Sequence, residues 1–199
     1  MGIDKKEIKE IFKTRSYQKD LMLSDIPDID LYIDQITTLF ENKLGSSKRT
    51  SDDKILTKTM VNNYSKEGIL RPVKGKKYDK EHILQMSMIY LMKQTLSIQD
   101  IKKVLCSQAY ANMKTYTDAY QNFNSIKYAR TEKLLNQLNE FIDTVDTQND
   151  EELLALILFF CNFSTIIKNA VETIIDRHFE EIKPVKEKEK KTKTEGKDE

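Results

Sequence analysis

The fold of this 199-residue chain is decided by residues 57–70, TKTMVNNYSKEGIL. Thr57 can cap a helix that begins at the next residue, and Gly68 can end it. A basic segment, RPVKGKKY (71–78), follows, with Gly75 as a turn former. The stretch therefore predicts a short helix, a turn and an extended, hairpin-like excursion rich in lysine.

Two further helices are predicted after this excursion. Asp79 is the N-cap of the first, and Ser97 with Asp100 has the spacing of a capping box before the second. Residues 57–105, here called the helix-turn module, therefore read as helix, turn, basic excursion, helix, turn and helix.

Helical patterns also occur on both sides of the module. Residues 3–15 predict a weak amphipathic helix, and Asp30 is placed to cap a helix that runs to about Leu44. Residues 107–145 and 151–182 carry long helical patterns, the second with a very wide apolar face. Only 5 glycines and 3 prolines interrupt the chain, which argues against a turn-rich β fold. We therefore predict an all-α protein.

Charge is divided unevenly along the chain, although the net charge is only +1. Residues 45–80 hold ten Lys/Arg and four Asp/Glu, a net charge of +6. Residues 111–182 hold six Lys/Arg and twelve Asp/Glu, a net charge of −6. A local basic cluster attracts polyanions whatever the charge of the whole chain, and this cluster coincides with the helix-turn module.

The sequence lacks the patterns of catalytic and metal sites. Cys106 and Cys161 form no CxxC pair, and the only histidines are His82 and His178. No Ser/His/Asp frame, convergent carboxylate pair or Gly-rich phosphate loop occurs. We expect a protein that is not an enzyme, holds no cofactor or metal, and keeps both cysteines reduced as apolar filler inside helices.

Membrane association is not predicted. The N-terminus is charged and lacks the apolar core of a secretory signal. The most apolar run, Leu153–Phe163, has 11 residues, whereas a bilayer span needs roughly 20. We expect a soluble, cytoplasmic protein whose lysine-rich tail, residues 184–199, is too polar to fold.

The helix-turn module resembles the DNA-binding domain of bacterial MerR-type regulators. In TMVNNYSKEGIL (59–70), Tyr64 is followed by Gly68 and two apolar residues, as in the helix-turn segment of that family. KKYDKEHI (76–83) resembles the end of the family's basic wing, and residues 91–105 resemble its final helices. The chain is closer still to a bacterial family of unknown function that shares this domain.

The module departs from the family pattern at three positions. Asn62 stands where these regulators usually carry arginine, Asn63 replaces one of two aromatic residues, and Thr95 replaces a glycine. No cysteine-containing metal loop follows, so the resemblance does not imply metal sensing.

The resemblance implies a winged helix-turn-helix with a small basic wing, followed by a helical C-terminal region. It divides the chain into an N-terminal helical extension (1–27), a MerR-like DNA-binding domain (28–108), a helical dimerisation or effector region (109–183) and a disordered charged tail (184–199).

The function that follows is a DNA-binding transcriptional regulator, expected to be a homodimer. A helical C-terminal region of this type is also compatible with a small-molecule effector, and the sequence leaves open whether there is one. Amide and ammonium groups of the module would meet base edges and phosphates of double-stranded DNA. The expected DNA contacts lie on the first helix and the basic excursion: Lys58, Thr59, Asn62, Asn63, Tyr64, Lys66, Arg71, Lys74, Lys76, Lys77 and Tyr78. Bracing of the turn by Asn63, and core packing of Tyr64 and Tyr78, are alternatives for those residues.

The alternative function is a non-enzymatic, helical protein–protein interaction module, because winged-helix folds are also used for protein contacts. In that case the acidic helical half would be the working surface, with its aromatic stripe from Tyr110 to Phe123.

Overall fold

A computed structural model of the chain describes residues 2–16, 20–73, 75–107 and 113–179. This part is mostly helical, as predicted, and contains seven α-helices and one two-stranded sheet. The predicted site residue Lys74, the start of the aromatic stripe at Tyr110 and the tail 184–199 lie outside the described residues. The elements are α1 (Lys5–Ser16), β1 (Leu31–Tyr32), α2 (Ile33–Leu44), α3 (Lys58–Lys66), β2 (Lys77–Tyr78), α4 (Lys80–Met92), α5 (Ile98–Leu105), α6 (Met113–Asp143) and α7 (Asp150–His178).

Local capping sets the helix boundaries inside the helix-turn module. The side chains of Thr57, Asp79 and Ser97 each accept a hydrogen bond from the backbone N–H three residues later. Gly68 follows α3 with φ +70°, a left-handed conformation that costs glycine little. All four predicted helix ends are confirmed, because these interactions involve only residues close in the chain.

The start of α2 differs from the prediction. The helix begins at Ile33, and the two residues before it form β1, so the predicted cap at Asp30 is wrong. β1 pairs antiparallel with β2, and Tyr32 lies opposite Lys77. This pairing joins the segment before α2 to the segment before α4.

One hydrophobic core joins α2, α3, α4, α5 and the first part of α6. Leu21 and Tyr120 also belong to it, and the Tyr120 hydroxyl donates a hydrogen bond to the Leu21 carbonyl at 2.7 Å. The core therefore includes residues on both sides of the predicted 28–108 domain. Its fully shielded members include Phe40, Ile36, Val61, Ile83, Met86 and Ile101.

A smaller hydrophobic cluster lies where α1, the end of α6 and the start of α7 meet. Ile8, Ile142 and Leu156 are its buried members, one from each helix. Lys9 of α1 adds an ion pair of 2.6 Å with Asp143 of α6. The N-terminal helix is thus held against the end of α6.

The two ends of α7 pack against the rest of the protein, and its middle does not. Leu156 is buried near the start of the helix, and Ile175 is buried near its end. Asp176 forms an ion pair of 2.9 Å with Lys103 of α5. Every residue from 161 to 171 is exposed.

The exposure of the two cysteines overturns one expectation. Cys161 lies inside the helix but is exposed, and Cys106 is exposed just after α5, so the prediction of buried filler is wrong for both cysteines. By length and composition α7 could also cross a bilayer, since 18 of its residues have a mean hydropathy of 1.7 and only 6% of that window is buried. The apolar stretch of this helix is longer than the run of 11 residues from which a membrane span was judged too short, because the apolar pattern resumes after Thr165. A single helix of this kind occurs in soluble as well as in membrane proteins.

Candidate nucleic-acid interface

Helix α3 buries one side and exposes the other. Val61 and Tyr64 face the core. The opposite side presents hydroxyl, amide and ammonium groups at helical spacings of i, i+3, i+4 and i+7, and Lys58 is exposed at the first turn. The four residues of this exposed row are Thr59, Asn62, Asn63 and Lys66.

Tyr64 belongs to the core. Its side chain is 6% exposed, and burial raises the pKa of its hydroxyl. Its carbonyl accepts hydrogen bonds from the backbone N–H groups of Ile69 and Leu70. Tyr64 therefore supports the turn after α3 and does not take part in the exposed row.

The basic excursion leads into the two-stranded sheet. Gly75 has φ +77°, and Lys76 and Lys77 after it are exposed. The Lys77 ammonium lies 5.3 Å from the centre of the Tyr32 ring on the paired strand. This cation–π contact and the strand pairing hold Lys77 at the surface next to β1.

Arg71 is engaged within the fold. Its Nη2 lies 3.2 Å from Asp79 Oδ1, and its Nη1 lies 2.5 Å from Glu81 Oε2. Its backbone N–H also donates to Gln85 Oε1 at 3.4 Å. Two carboxylates therefore offset its charge, and Arg71 ties the segment after α3 to the start of α4.

Asp79 organises the start of α4. Its Oδ1 accepts a hydrogen bond from the backbone N–H of His82 at 3.0 Å and lies 2.7 Å from His82 Nδ1. Burial opposes ionisation of Asp79, but the hydrogen bonds from His82 and the charges of His82 and Arg71 outweigh it and lower the pKa of the carboxyl. The His82 ring meets Tyr78 edge-on at 5.7 Å, so half-buried Tyr78 is braced by the same cluster.

The lysines of the module differ in whether a carboxylate compensates them. Lys80 forms an ion pair of 2.6 Å with Asp28, whereas Lys58, Lys66 and Lys76 have no ion pair within the described part of the chain. Lysines without a carboxylate partner therefore place exposed positive charge on α3 and beside the turn at Gly75.

An apolar cavity of about 370 Å³ lies between α4, α5, α6 and the end of α7. Buried Tyr116 and Tyr120 line it, but their hydroxyls donate to the backbone carbonyls of Leu105 and Leu21. The predicted aromatic stripe is therefore wrong as a surface at these two tyrosines. Across the described ranges, no group of three or more His, Cys, Asp or Glu side chains could hold a metal ion.

Sequence reasoning missed Tyr32 and the pairing of Arg71. β1 has only two residues, too few for an alternating pattern, so nothing pointed to a strand or to a partner for Lys77. Asp79 was recognised as a cap, but its contact with Arg71 depends on how the excursion returns to α4.

These features define a mostly helical protein with a lysine-bearing helix and strand at its surface. Residues 21–124, just over half of the chain, match the family described as a domain of unknown function, DUF1836. The chain belongs to this family. The matched span includes α2 to α5 and part of α6, whereas α1 and α7 lie outside it. No curated protein and no solved structure matches the chain.

Proposed function

We propose that this chain is a cytoplasmic, non-enzymatic transcriptional regulator that binds double-stranded DNA through a MerR-like winged helix-turn-helix and acts as a homodimer. The observation that carries the proposal is the exposed row of α3. Thr59, Asn62, Asn63 and Lys66 lie on one side of a short helix whose other side is anchored in the core.

Such a helix has the dimensions and the chemistry to enter the major groove of DNA. The groove is roughly 12 Å wide and admits one α-helix, and amide side chains such as Asn62 and Asn63 can pair with the edge of adenine. Lys58 and Lys66 would contact phosphates on either side. Base contacts would supply specificity, and the lysines would supply affinity that falls with salt.

The strand β2 would act as the wing. Lys76 and Lys77 are exposed beside the turn at Gly75, where ammonium groups can reach a phosphate backbone or a minor groove. The net charge of +6 over residues 45–80 supports contact with a polyanion. Arg71 and Tyr64 are left out of the proposed contacts, because one is paired and the other is buried.

The test is fluorescence anisotropy of the full chain against pooled fragments of its own genome at two salt concentrations, with and without Lys76→Glu/Lys77→Glu. We expect a few fragments to be enriched and the double variant to lose them. The control is Lys13→Glu/Lys133→Glu, which makes the same change of charge at exposed lysines of α1 and α6.

Three outcomes would contradict the proposal. Absence of any binding at low salt would remove DNA as a ligand. Uniform binding that vanishes with salt would reduce the interaction to nonspecific electrostatics. Equal losses in the wing variant and in its control would show that total charge matters and the wing does not.

A protein-interaction module remains the second candidate, favoured by the exposed apolar side chains of α6 and α7. The wing variant discriminates between the two. If it keeps its oligomeric state and loses DNA, the module binds DNA. If it loses only a protein partner, the second candidate is preferred.

A further inference from the structure

An open apolar cleft lies between α6 and α7. At one end Phe123 of α6 and Val171 of α7 line the same cavity, and at the other end the rings of Phe141 and Phe160 lie 6.1 Å apart. Between these points α7 is exposed along its whole circumference, and Leu134 of α6 is 57% exposed. Phe123, Leu134 and Phe141 are separated by 11 and 7 residues and so lie on one side of α6. The two helices therefore flank an uncovered apolar space.

The apolar residues of α7 form a continuous seam. From residue 153 the positions 153, 156, 160, 163, 167, 170 and 174 are apolar, with alternating steps of three and four residues. This is the pattern by which helices pack side by side over several turns. On this seam or within about a quarter turn of it, large apolar side chains are exposed: Phe159, Phe163, Ile166, Ile167, Val171 and Ile174.

The other side of α7 is polar from residue 161 onward. Asn162, Thr165 and Asn169 lie there, together with Lys168, which forms an ion pair of 3.5 Å with Glu172. A helix surrounded by lipid would place these groups in hydrocarbon, at considerable cost. A helix that packs against a partner through its apolar side and meets water on its polar side buries the apolar groups and keeps the polar groups hydrated.

The exposed area suits a stable protein interface. The exposed area is roughly 700 Å² if each side chain contributes about half of its surface area. The sum covers the six half-exposed side chains on α7 together with Phe123, Ile126 and Leu134 on α6. A standard interface buries roughly 800 Å² per partner. These nine side chains therefore supply most of the area that a standard interface buries on each partner.

The charges at the ends of α7 favour a second copy in antiparallel orientation. The first turn carries Asp150, Glu151 and Glu152, and the last turn carries Arg177 and His178. Glu152 and Arg177 lie on the seam side, about 37 Å apart along the axis. In an antiparallel pair, each acidic end meets the basic end of the other copy.

We propose that α7 of a second copy lies antiparallel in the cleft between α6 and α7, and that the two copies exchange this contact reciprocally. The interface is self-complementary, as expected for a two-fold dimer. This interface would give the homodimer of the proposed function a specific surface. The proposal of the interface does not depend on whether the module binds DNA.

The mass of the full chain, measured by light scattering during gel filtration without detergent, tests this. We expect twice the 23.3 kDa of one chain. Ile167→Asp places a charge in the seam and should weaken the dimer at least tenfold. Thr165→Asp, on the polar side of the same turn, should leave the mass unchanged, and circular dichroism should show both variants equally helical.

Disulfide trapping checks the orientation and does not depend on whether Ile167→Asp folds. Glu152→Cys and Arg177→Cys are made separately in a Cys106→Ser/Cys161→Ser background, then mixed and oxidised. Crosslinking only in the mixture supports the antiparallel contact, whereas crosslinking of each variant with itself overturns it. A single-chain mass for the wild type, or flotation with phosphatidylglycerol vesicles in place of a dimer, would also overturn it, and neither result would bear on DNA binding.

Discussion

Arg71 Nη2 lies 3.2 Å from Asp79 Oδ1, so the residue that follows the turn after α3 is joined to the residue that caps α4. The pair closes the basic excursion at its base. Because Glu81 also binds Arg71, the arginine stabilises the excursion, and the exposed positive charge is left to the lysines. Four predictions concern this arrangement and the core that supports it.

The first prediction concerns the pH dependence of stability at Asp79. Its pKa is lowered in the folded protein, so ionised Asp79 stabilises the fold above the unfolded pKa of about 3.9. This contribution is lost as the pH falls through the lower, folded pKa. Asn keeps the ability to cap the helix, so Asp79→Asn should cost roughly 0.5–1 kcal/mol at neutral pH, the range of half-exposed ion pairs.

Urea unfolding at several pH values measures this difference. The gap between wild type and Asp79→Asn should close as the pH is lowered, since the protonated carboxyl and the amide become similar. Asp28→Asn, which removes the exposed partner of Lys80, is the control and should have a smaller, salt-sensitive effect. A gap that stays constant with pH would show that the charge of Asp79 is not involved.

The second prediction concerns Gly68, which has φ +70° and no atom near the position of an added Cβ. Gly68→Ala should destabilise the protein by roughly 1–2 kcal/mol through the backbone alone. Gly45→Ala is the matched control, because Gly45 has right-handed helical angles and meets only the flexible Glu41 side chain. Chemical denaturation of both variants measures the difference, and equal losses would refute this explanation.

The third prediction separates two roles on α3 under the proposed function. Lys66→Ala should weaken binding to all duplexes alike and lower the salt dependence by about one counterion, as expected for a phosphate contact. Asn62→Ala should cost roughly 1–3 kcal/mol on the preferred sequence and little on others. Salt titrations on preferred and scrambled duplexes measure both. The assignment fails if the two variants behave identically.

The fourth prediction concerns Tyr120, whose burial raises the pKa of its hydroxyl to about 12. The folded state holds this proton more tightly than the unfolded state, so its stabilisation is lost as the pH rises from about 10 to 12. Tyr120→Phe removes the hydrogen bond to the buried Leu21 carbonyl and should cost about 1 kcal/mol at neutral pH.

The stability of Tyr120→Phe should also fall less steeply between pH 10 and 12 than that of the wild type, as followed by thermal unfolding. Exposed Tyr128 offers the control, because Tyr128→Phe removes a hydroxyl without removing a buried hydrogen bond to a carbonyl. An unchanged alkaline profile for Tyr120→Phe would contradict this account of Tyr120.

Several parts of the candidate site could be read from the sequence, and others could not. Four lysines were predicted at the surface and are exposed, because a lysine is rarely fully buried unless its charge is paired. They are Lys58, Lys66, Lys76 and Lys77. Tyr64 and Arg71 carry groups that DNA can bind, but one is buried and the other is paired. Residue type alone could not show which of these side chains would be buried, which would be paired and which would be exposed.

The sequence by itself determined the helical character of the chain and the helix ends at Thr57, Gly68, Asp79 and Ser97, since capping and left-handed glycines act over three or four residues. Tertiary structure alone decided the pairing of Leu31 with Tyr78 and the exposure of the middle of α7. A strand of two residues has no periodicity of its own. An apolar stripe shows that a helix needs a partner, but only the path of the chain shows whether that partner lies in the same molecule.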